Sequence, residues 1–216
     1  MDRGGTGQGS LLSTEQRDRV RHRVEPYAAN LAGVGLTPNA QTLIGFGISI
    51  VGAILAGLQL WVACGLVATF GAAFDMLDGA VARATGRASK FGAFLDSTFD
   101  RWGEAVVYAG IAYGCAVAGQ PAAVLLTALA MGSAFMVSYS RGKAEGLGWK
   151  GEVGIAPRPE RVVILGVGLV AAGLGGGPAG GPWLQLALGA IFVLSTITVF
   201  QRILFARRQS EDQQSS

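Results

Sequence analysis

The distribution of basic residues constrains the fold of this chain more than any other feature. The 17 Lys and Arg residues fall into four clusters, which lie within 3–23, 83–101, 141–161 and 202–208. The stretches between the clusters contain no Lys or Arg: 24–82, 102–140 and 162–201. Each is long enough for two membrane spans of about 20 residues and a short turn. The pattern predicts an all-α polytopic membrane protein with about six transmembrane helices.

Composition supports a membrane location. Only 14% of the residues are charged and the mean hydropathy is +0.43, which is too apolar for an ordinary soluble domain. By the positive-inside rule, the basic clusters lie in the cytoplasm. We therefore expect a multi-pass protein of the cell membrane with both termini inside. The pI of about 9.1 is explained by cytoplasmic loops that face anionic lipid or phosphate, and no nucleic-acid partner is predicted.

The chain divides into one membrane domain, 13–208, between two tails, 1–12 and 209–216, which we predict to be disordered. Within the domain, apolar stretches and turn residues predict spans at about 39–59, 61–84, 90–118, 121–144 and 183–205, with a further span that opens near Pro157. No internal repeat or second soluble domain is evident.

An amphipathic helix is predicted before the first span. The run Ser13-Thr14-Glu15-Gln16 has the spacing of a capping box. Apolar residues then recur at helical intervals among Arg17, Arg19, Arg21 and Arg23. This pattern predicts a helix that lies on the cytoplasmic membrane surface. The alternative is a solvated charged tail.

The polar residues available for catalysis are few. Cys64 and Cys115 lie in apolar segments and are predicted to be core residues that form no disulfide. The single histidine, His22, lies in the polar N-terminal region. A general base must therefore be a carboxylate or a lysine.

Four carboxylates stand out within apolar sequence. At helical spacing Asp75 and Asp78 share one face, and so do Asp96 and Asp100. Charged carboxylates in a membrane are costly unless something binds them. If a hairpin brings the pairs together, four carboxylates without a neighbouring His or Cys indicate a hard divalent cation such as Mg²⁺ or Mn²⁺.

Two neighbouring residues favour a phosphate ligand over a buried ion-pair network or an ion pathway. Gly79 lets a ligand approach the helix backbone, and Arg83 can bind a phosphate through its fork of donors. A metal cluster beside these residues would form a platform for a phosphate or pyrophosphate. The transporter alternative leaves Gly79 and Arg83 without a role. An intramembrane prenyltransferase is a further alternative, but it would be expected to have two well-separated Asp-rich motifs.

The run Asp75-x2-Asp78-Gly79-x2-Ala82-Arg83-x8-Gly92-x3-Asp96-x3-Asp100 resembles the signature of the CDP-alcohol phosphatidyltransferases at every fixed position. The resemblance implies that the four Asp residues bind two divalent ions, Mg²⁺ or alternatively Mn²⁺. It makes Asp100 the acceptor of the alcohol's proton. It also implies a homodimer and the donor CDP-diacylglycerol, which would be bound by Thr37, Pro38, Asn39, Ala40, Gly79, Arg83 and Ser89.

The acceptor alcohol is predicted from basic residues at the ends of later spans: Arg141, Lys143, Arg158, Arg161 and Arg202. The segments Pro159-Glu160-Arg161 and Gln201-Arg202 resemble those of the phosphatidylinositol-phosphate synthases within the family. This resemblance implies inositol phosphate as the acceptor, with CMP and phosphatidylinositol phosphate as products. Glycerol 3-phosphate is the main rival acceptor. The alternative for the basic residues is that they only anchor helix ends at the membrane interface.

Overall fold

In a computed structural model, the structure describes residues 38–71, 89–175 and 181–214, and these ranges contain six helices and no strand. The helices are α1 (Pro38–Gly57), α2 (Trp61–Gly71), α3 (Lys90–Val117), α4 (Pro121–Gly146), α5 (Arg158–Leu174) and α6 (Gly181–Gln214). The predicted all-α class is confirmed. The predicted N-terminal tail and amphipathic helix lie outside the described residues.

Three of these helices are long and apolar enough to cross a membrane. They are α1, α4 and α6, where the candidate spans are Asn39–Gly57, Pro121–Gly146 and Gly181–Gln213. Large apolar side chains point outward from the bundle, for example Ile54, Leu174 and Leu186. An apolar outer surface of this extent is typical of helices that face lipid. The count of six spans stays a prediction.

Local sequence signals define where the helices begin. Ser89 caps α3, because its hydroxyl accepts the Gly92 N–H at 2.9 Å. Helices α4 and α5 have a proline in their first two positions, where a missing N–H has no cost. The tight turns after α1 and α3 contain residues with positive φ, Gln59 (60°) and Gly119 (68°).

The predicted disordered tail at 209–216 is wrong for residues 209–214, because α6 continues to Gln214. The extension is stabilised in two ways. Arg207 pairs with Glu211 one turn later at 2.8 Å. Gln209 and Gln213 form hydrogen bonds with the loop between α4 and α5.

One apolar core joins all six helices. It includes Cys64 of α2, Cys115 of α3 and Leu188 of α6, each fully buried. Both cysteines are free, as predicted. Helices α1 and α3 approach most closely at two glycines. A Cβ atom placed on Gly110 would lie 2.2 Å from the Ala53 carbonyl oxygen, and one on Gly114 would lie 2.4 Å from that of Ala56.

Candidate active site

The first turns of α3 carry the two predicted carboxylates that the structure describes. Asp96 and Asp100 are one helical turn apart, and both line a small cleft between α1, α3 and α5. Thr42, Ser49 and Arg158 also line this cleft. The structure therefore brings Asp96 and Asp100 together. Five other predicted site residues lie outside the described residues: Thr37, Asp75, Asp78, Gly79 and Arg83.

Residues predicted to contact the CDP group lie at the same end of the bundle. A Cβ atom placed on Gly92 would be 3.0 Å from Ser89 Oγ and 3.6 Å from Asn39 Oδ1. The start of α1, where Ala40 follows Asn39, therefore meets the start of α3 at Gly92. Ser89 already accepts the Gly92 N–H, but its own hydroxyl proton can still be donated.

Asp96 and Asp100 have different neighbours. The Thr42 hydroxyl lies 3.5 Å from Asp96 Oδ1, at the long end of a hydrogen bond. Asp100 Oδ2 forms an ion pair at 2.9 Å with the Arg158 guanidinium, which comes from the first turn of α5. The predicted base thus contacts one of the predicted acceptor-binding cations directly.

A second ion pair between α3 and α5 was not predicted. Arg161 is almost fully buried, and its guanidinium contacts Glu104 Oε1 at 3.3 Å and donates to the Ala156 carbonyl at 3.1 Å. Glu104 also lies 3.9 Å from Arg101. Glu104 follows Asp100 by one helical turn, so it continues the face that Asp96 begins. This four-residue spacing could have identified Glu104 from the sequence, although Glu104 lies outside the motif that ends at Asp100.

Arg202 is also buried, with 8% of its surface exposed. Its Nε donates to the Val153 carbonyl at 2.8 Å, and its NH1 donates to the Val137 carbonyl. Val137 precedes Arg141 by one turn of α4, and Ala156, whose carbonyl accepts from Arg161, follows Val153 by three residues. Three of the five predicted acceptor-binding cations therefore cluster, although two of them are bound to backbone carbonyls.

Two of the predicted acceptor-binding cations, Arg141 and Lys143, are on the surface. Arg141 is exposed and pairs with Glu145 at 2.7 Å and Glu152 at 2.9 Å. Lys143, two residues later near the end of α4, is exposed as well. These side chains can rearrange at little cost, because exposed ion pairs contribute about 1 kcal/mol or less.

An apolar cavity adjoins the carboxylate cleft. It shares Gly45, Ser49 and Arg158 with the cleft. Its far end is lined by Val107 and Leu165. A polar cleft that continues into an apolar cavity suits an amphiphilic substrate.

Gln41 is a further polar residue that sequence reasoning missed. It follows Ala40 directly and is 1% exposed. Neither amide atom has a hydrogen-bond partner among the described residues. Buried amides are normally hydrogen-bonded, so this side chain can offer a donor and an acceptor to a ligand. A single Gln in an apolar helix carries no spacing signal.

Together, the apolar helices, the carboxylate cleft and its facing cations define an integral-membrane enzyme that acts on phosphate-bearing substrates. The CDP-alcohol phosphatidyltransferase family matches residues 35–197, which is most of the chain. The chain belongs to this family.

Several named proteins are similar to this chain over most of its length. Archaetidylinositol phosphate synthase of Pyrococcus horikoshii is 39% identical over 197 residues, covering 90% of this chain and 96% of the relative. The crystal structure of Mycobacterium tuberculosis phosphatidylinositol phosphate synthase with CDP-DAG bound has a TM-score of 0.75 at 34% identity, covering 85% of this chain and 92% of that one. The same enzyme in complex with manganese and citrate has a TM-score of 0.76 at 34% identity, covering 85% and 88%.

Proposed function

We propose that this protein transfers the phosphatidyl group from CDP-diacylglycerol to inositol phosphate, which releases CMP and forms phosphatidylinositol phosphate. The contact between Asp100 and Arg158 carries the proposal. It joins the carboxylate that we propose as the base to a cation of α5 that we propose as part of the acceptor site, and this contact supports placing the two proposed sites side by side. The names of the relatives agree on an inositol phosphate headgroup and differ in the lipid part.

The donor atoms at the cleft fit a hard divalent cation. Asp96 and Asp100 supply carboxylate oxygens, and Thr42 and Ser49 supply hydroxyl oxygens nearby. We propose two ions, Mg²⁺ or Mn²⁺, held by Asp96 and Asp100 together with Asp75 and Asp78. Such ions, when bound, neutralise charge on the phosphates and on departing CMP.

Asp100 is proposed to take the proton from the attacking alcohol. The alcohol oxygen then bonds to the lipid-attached phosphorus while the bond from that phosphorus to the CMP oxygen breaks. Arg158 fixes the orientation of the Asp100 carboxylate and places positive charge beside it. Much of the rate would come from positioning the two substrates.

The donor is proposed to bind where α1 and α3 begin. Asn39 and Ser89 both lie close to Gly92, and the apolar cavity adjoins the cleft. We propose that the CDP group contacts these residues and also Pro38 and Ala40 of α1. Thr37 and Gly79, which lie outside the described residues, are proposed to contact it as well. Arg83 would bind the donor phosphates.

The acceptor phosphate is proposed to bind at Arg158 and at the cluster of Arg141, Arg161 and Arg202, with Lys143 nearby. Clustered guanidinium groups favour a dianion. This charge also suits glycerol 3-phosphate, so the inositol assignment rests on the relatives. We further propose a homodimer in the cell membrane, with both termini and the active site on the cytoplasmic side.

The proposal is tested with purified protein, CDP-diacylglycerol and Mg²⁺, to which inositol phosphate, inositol or glycerol 3-phosphate is added in turn. We expect CMP release and phosphatidylinositol phosphate only with inositol phosphate. A reaction without acceptor corrects for hydrolysis. Turnover with glycerol 3-phosphate alone would overturn the acceptor, and no CMP with any of the three alcohols would overturn the proposed function.

A further inference from the structure

The loop between α4 and α5 lies along α6, and we name its residues 149–156 the strap. Two backbone N–H groups near its end donate to α6 side chains. Ala156 N–H donates to Thr198 Oγ1 at 3.0 Å, and Ile155 N–H donates to Gln201 Oε1 at 3.2 Å. These bonds fix the strap where it enters α5.

The other end of the strap is held by the C-terminal extension of α6. Gln209 accepts the Lys150 N–H at 2.9 Å and donates to the Lys150 carbonyl at 3.0 Å. Gln213 accepts the Trp149 indole N–H at 3.0 Å. Gln209 alone thus forms hydrogen bonds with both the backbone N–H and the backbone carbonyl of Lys150.

The strap runs antiparallel to α6 along a single face of that helix. Residues 198, 201, 202, 209 and 213 recur at helical spacing and bind strap residues in reverse order. Gly154 has a φ of 133°, and a Cβ atom there would lie 2.2 Å from Thr198 Cγ2. The strap is therefore closely fitted to this face.

Three of the proposed acceptor-binding cations contact the strap. Arg141 pairs with Glu152, Arg161 donates to the Ala156 carbonyl, and Arg202 donates to the Val153 carbonyl. Arg158, the partner of Asp100, begins α5 two residues after the strap ends. A displaced strap would therefore disturb all four side chains.

We infer that Gln209 and Gln213 are positioning residues, which hold the strap on α6 and through it orient the acceptor-binding cations. This inference rests on the proposed function for its link to the acceptor. Neither glutamine contacts the carboxylate cleft, so both act at a distance. The C-terminal extension of α6 thereby gains a function in acceptor binding.

The first test measures the strap without any substrate. Trypsin cleaves after Lys150 only when the local backbone is free of hydrogen bonds. In the full-length protein, Gln209→Ala/Gln213→Ala should be cleaved there roughly ten-fold faster than wild type, since three hydrogen bonds are lost. The control Arg207→Gln/Glu211→Gln removes an exposed pair on the opposite side of the same helical turns. Because an exposed pair of this kind stabilises a helix only weakly, cleavage of the control should stay within about two-fold of wild type. Equal cleavage in all three proteins would overturn the inference.

The second test separates the substrates. The double Ala variant should raise KM for inositol phosphate roughly five-fold and leave KM for CDP-diacylglycerol within about two-fold. Gln209→Glu keeps the acceptor for the Lys150 N–H and loses the donor to the Lys150 carbonyl. Its KM for inositol phosphate should therefore lie between those of wild type and the double Ala variant. Faster cleavage with an unchanged KM for inositol phosphate would overturn the positioning role. If the wild-type protein releases no CMP, the proposed function is overturned instead. The trypsin assay would then still test whether Gln209 and Gln213 hold the strap on α6.

Discussion

Asp100 is the residue at which the proposed donor and acceptor sites meet. It lies one turn from Asp96 on α3 and contacts Arg158 of α5 at 2.9 Å. A carboxylate in this position can orient the alcohol and accept its proton. Orienting the alcohol depends on the shape of the side chain, and accepting the proton depends on its charge.

Asp100→Asn separates those roles, because asparagine keeps the shape and cannot take the proton. We expect the rate of CMP release to fall by about 10²–10⁴-fold, the usual range for a general base. Metal-dependent binding of CDP-diacylglycerol should largely persist, as measured by equilibrium binding in detergent. Asp212→Asn, an exposed acidic residue near the end of α6, is the control. Retained turnover in Asp100→Asn would remove its role as base.

Residue positions were predictable where a short motif sets them. Asp96 and Asp100 share a face because a four-residue spacing on a helix requires it. Their partners were not predictable in the same way. Arg161 and Glu104 are 57 residues apart, so their ion pair depends on how α3 packs against α5. Gln41 is buried by the same kind of long-range packing.

At the scale of the helices, the contact between α1 and α3 positions the cleft. Glycines let the two backbones approach, and three aromatic rings pack beside the cleft, with Phe46 5.1 Å from Phe99 and 5.4 Å from Trp102. At this separation the Thr42 hydroxyl of α1 lies 3.5 Å from Asp96 Oδ1 of α3, and Ser49 lines the same cleft.

Gly110→Ala tests that contact. The added methyl group would lie 2.2 Å from the Ala53 carbonyl oxygen, which is backbone and cannot move aside alone. The helices must separate, at a cost of about 1–3 kcal/mol. We expect a lower melting temperature in detergent and a reduced rate of CMP release.

Gly189→Ala is the matched control, because a Cβ atom on this α6 glycine meets no described atom within 4 Å. It should leave the melting temperature unchanged or raise it slightly, because alanine favours the helix. If Gly110→Ala behaves like this control, close backbone contact between α1 and α3 does not position the site.

Helix boundaries were largely predictable because prolines, the Ser89 cap and tight turns act locally. The C-terminal end of α6 was not, since residues 209–214 are polar and resemble a solvated tail. Their helix is stabilised by the strap, whose contacts are about 60 residues distant in sequence. Composition alone cannot reveal such a partner.

For the whole molecule, the distribution of charge predicts which end faces the cytoplasm. Helix α1 has 20 residues, so it spans about 30 Å, close to the thickness of the hydrocarbon core. The cleft lies toward its first half, and the turn at Leu58 lies at its other end. The strap lies near the cleft, because Arg158 begins α5 two residues after the strap and pairs with Asp100. It also belongs to the segment 141–161, which contains five Lys and Arg residues. From the positive-inside rule we therefore propose that the strap and the cleft lie on the cytoplasmic side and that Leu58 lies outside.

Single cysteines can test this orientation because both native cysteines are fully buried. Leu58 is 65% exposed and Lys150 is also exposed, so Leu58→Cys and Lys150→Cys should both react with a maleimide. A membrane-impermeant maleimide should label Leu58→Cys in intact cells and Lys150→Cys in inside-out vesicles. Unsubstituted protein measures the background in each case. Labelling of both positions from one side would mean that the turn and the strap share a membrane face, and the bundle would then need a different topology from the one its basic clusters predict.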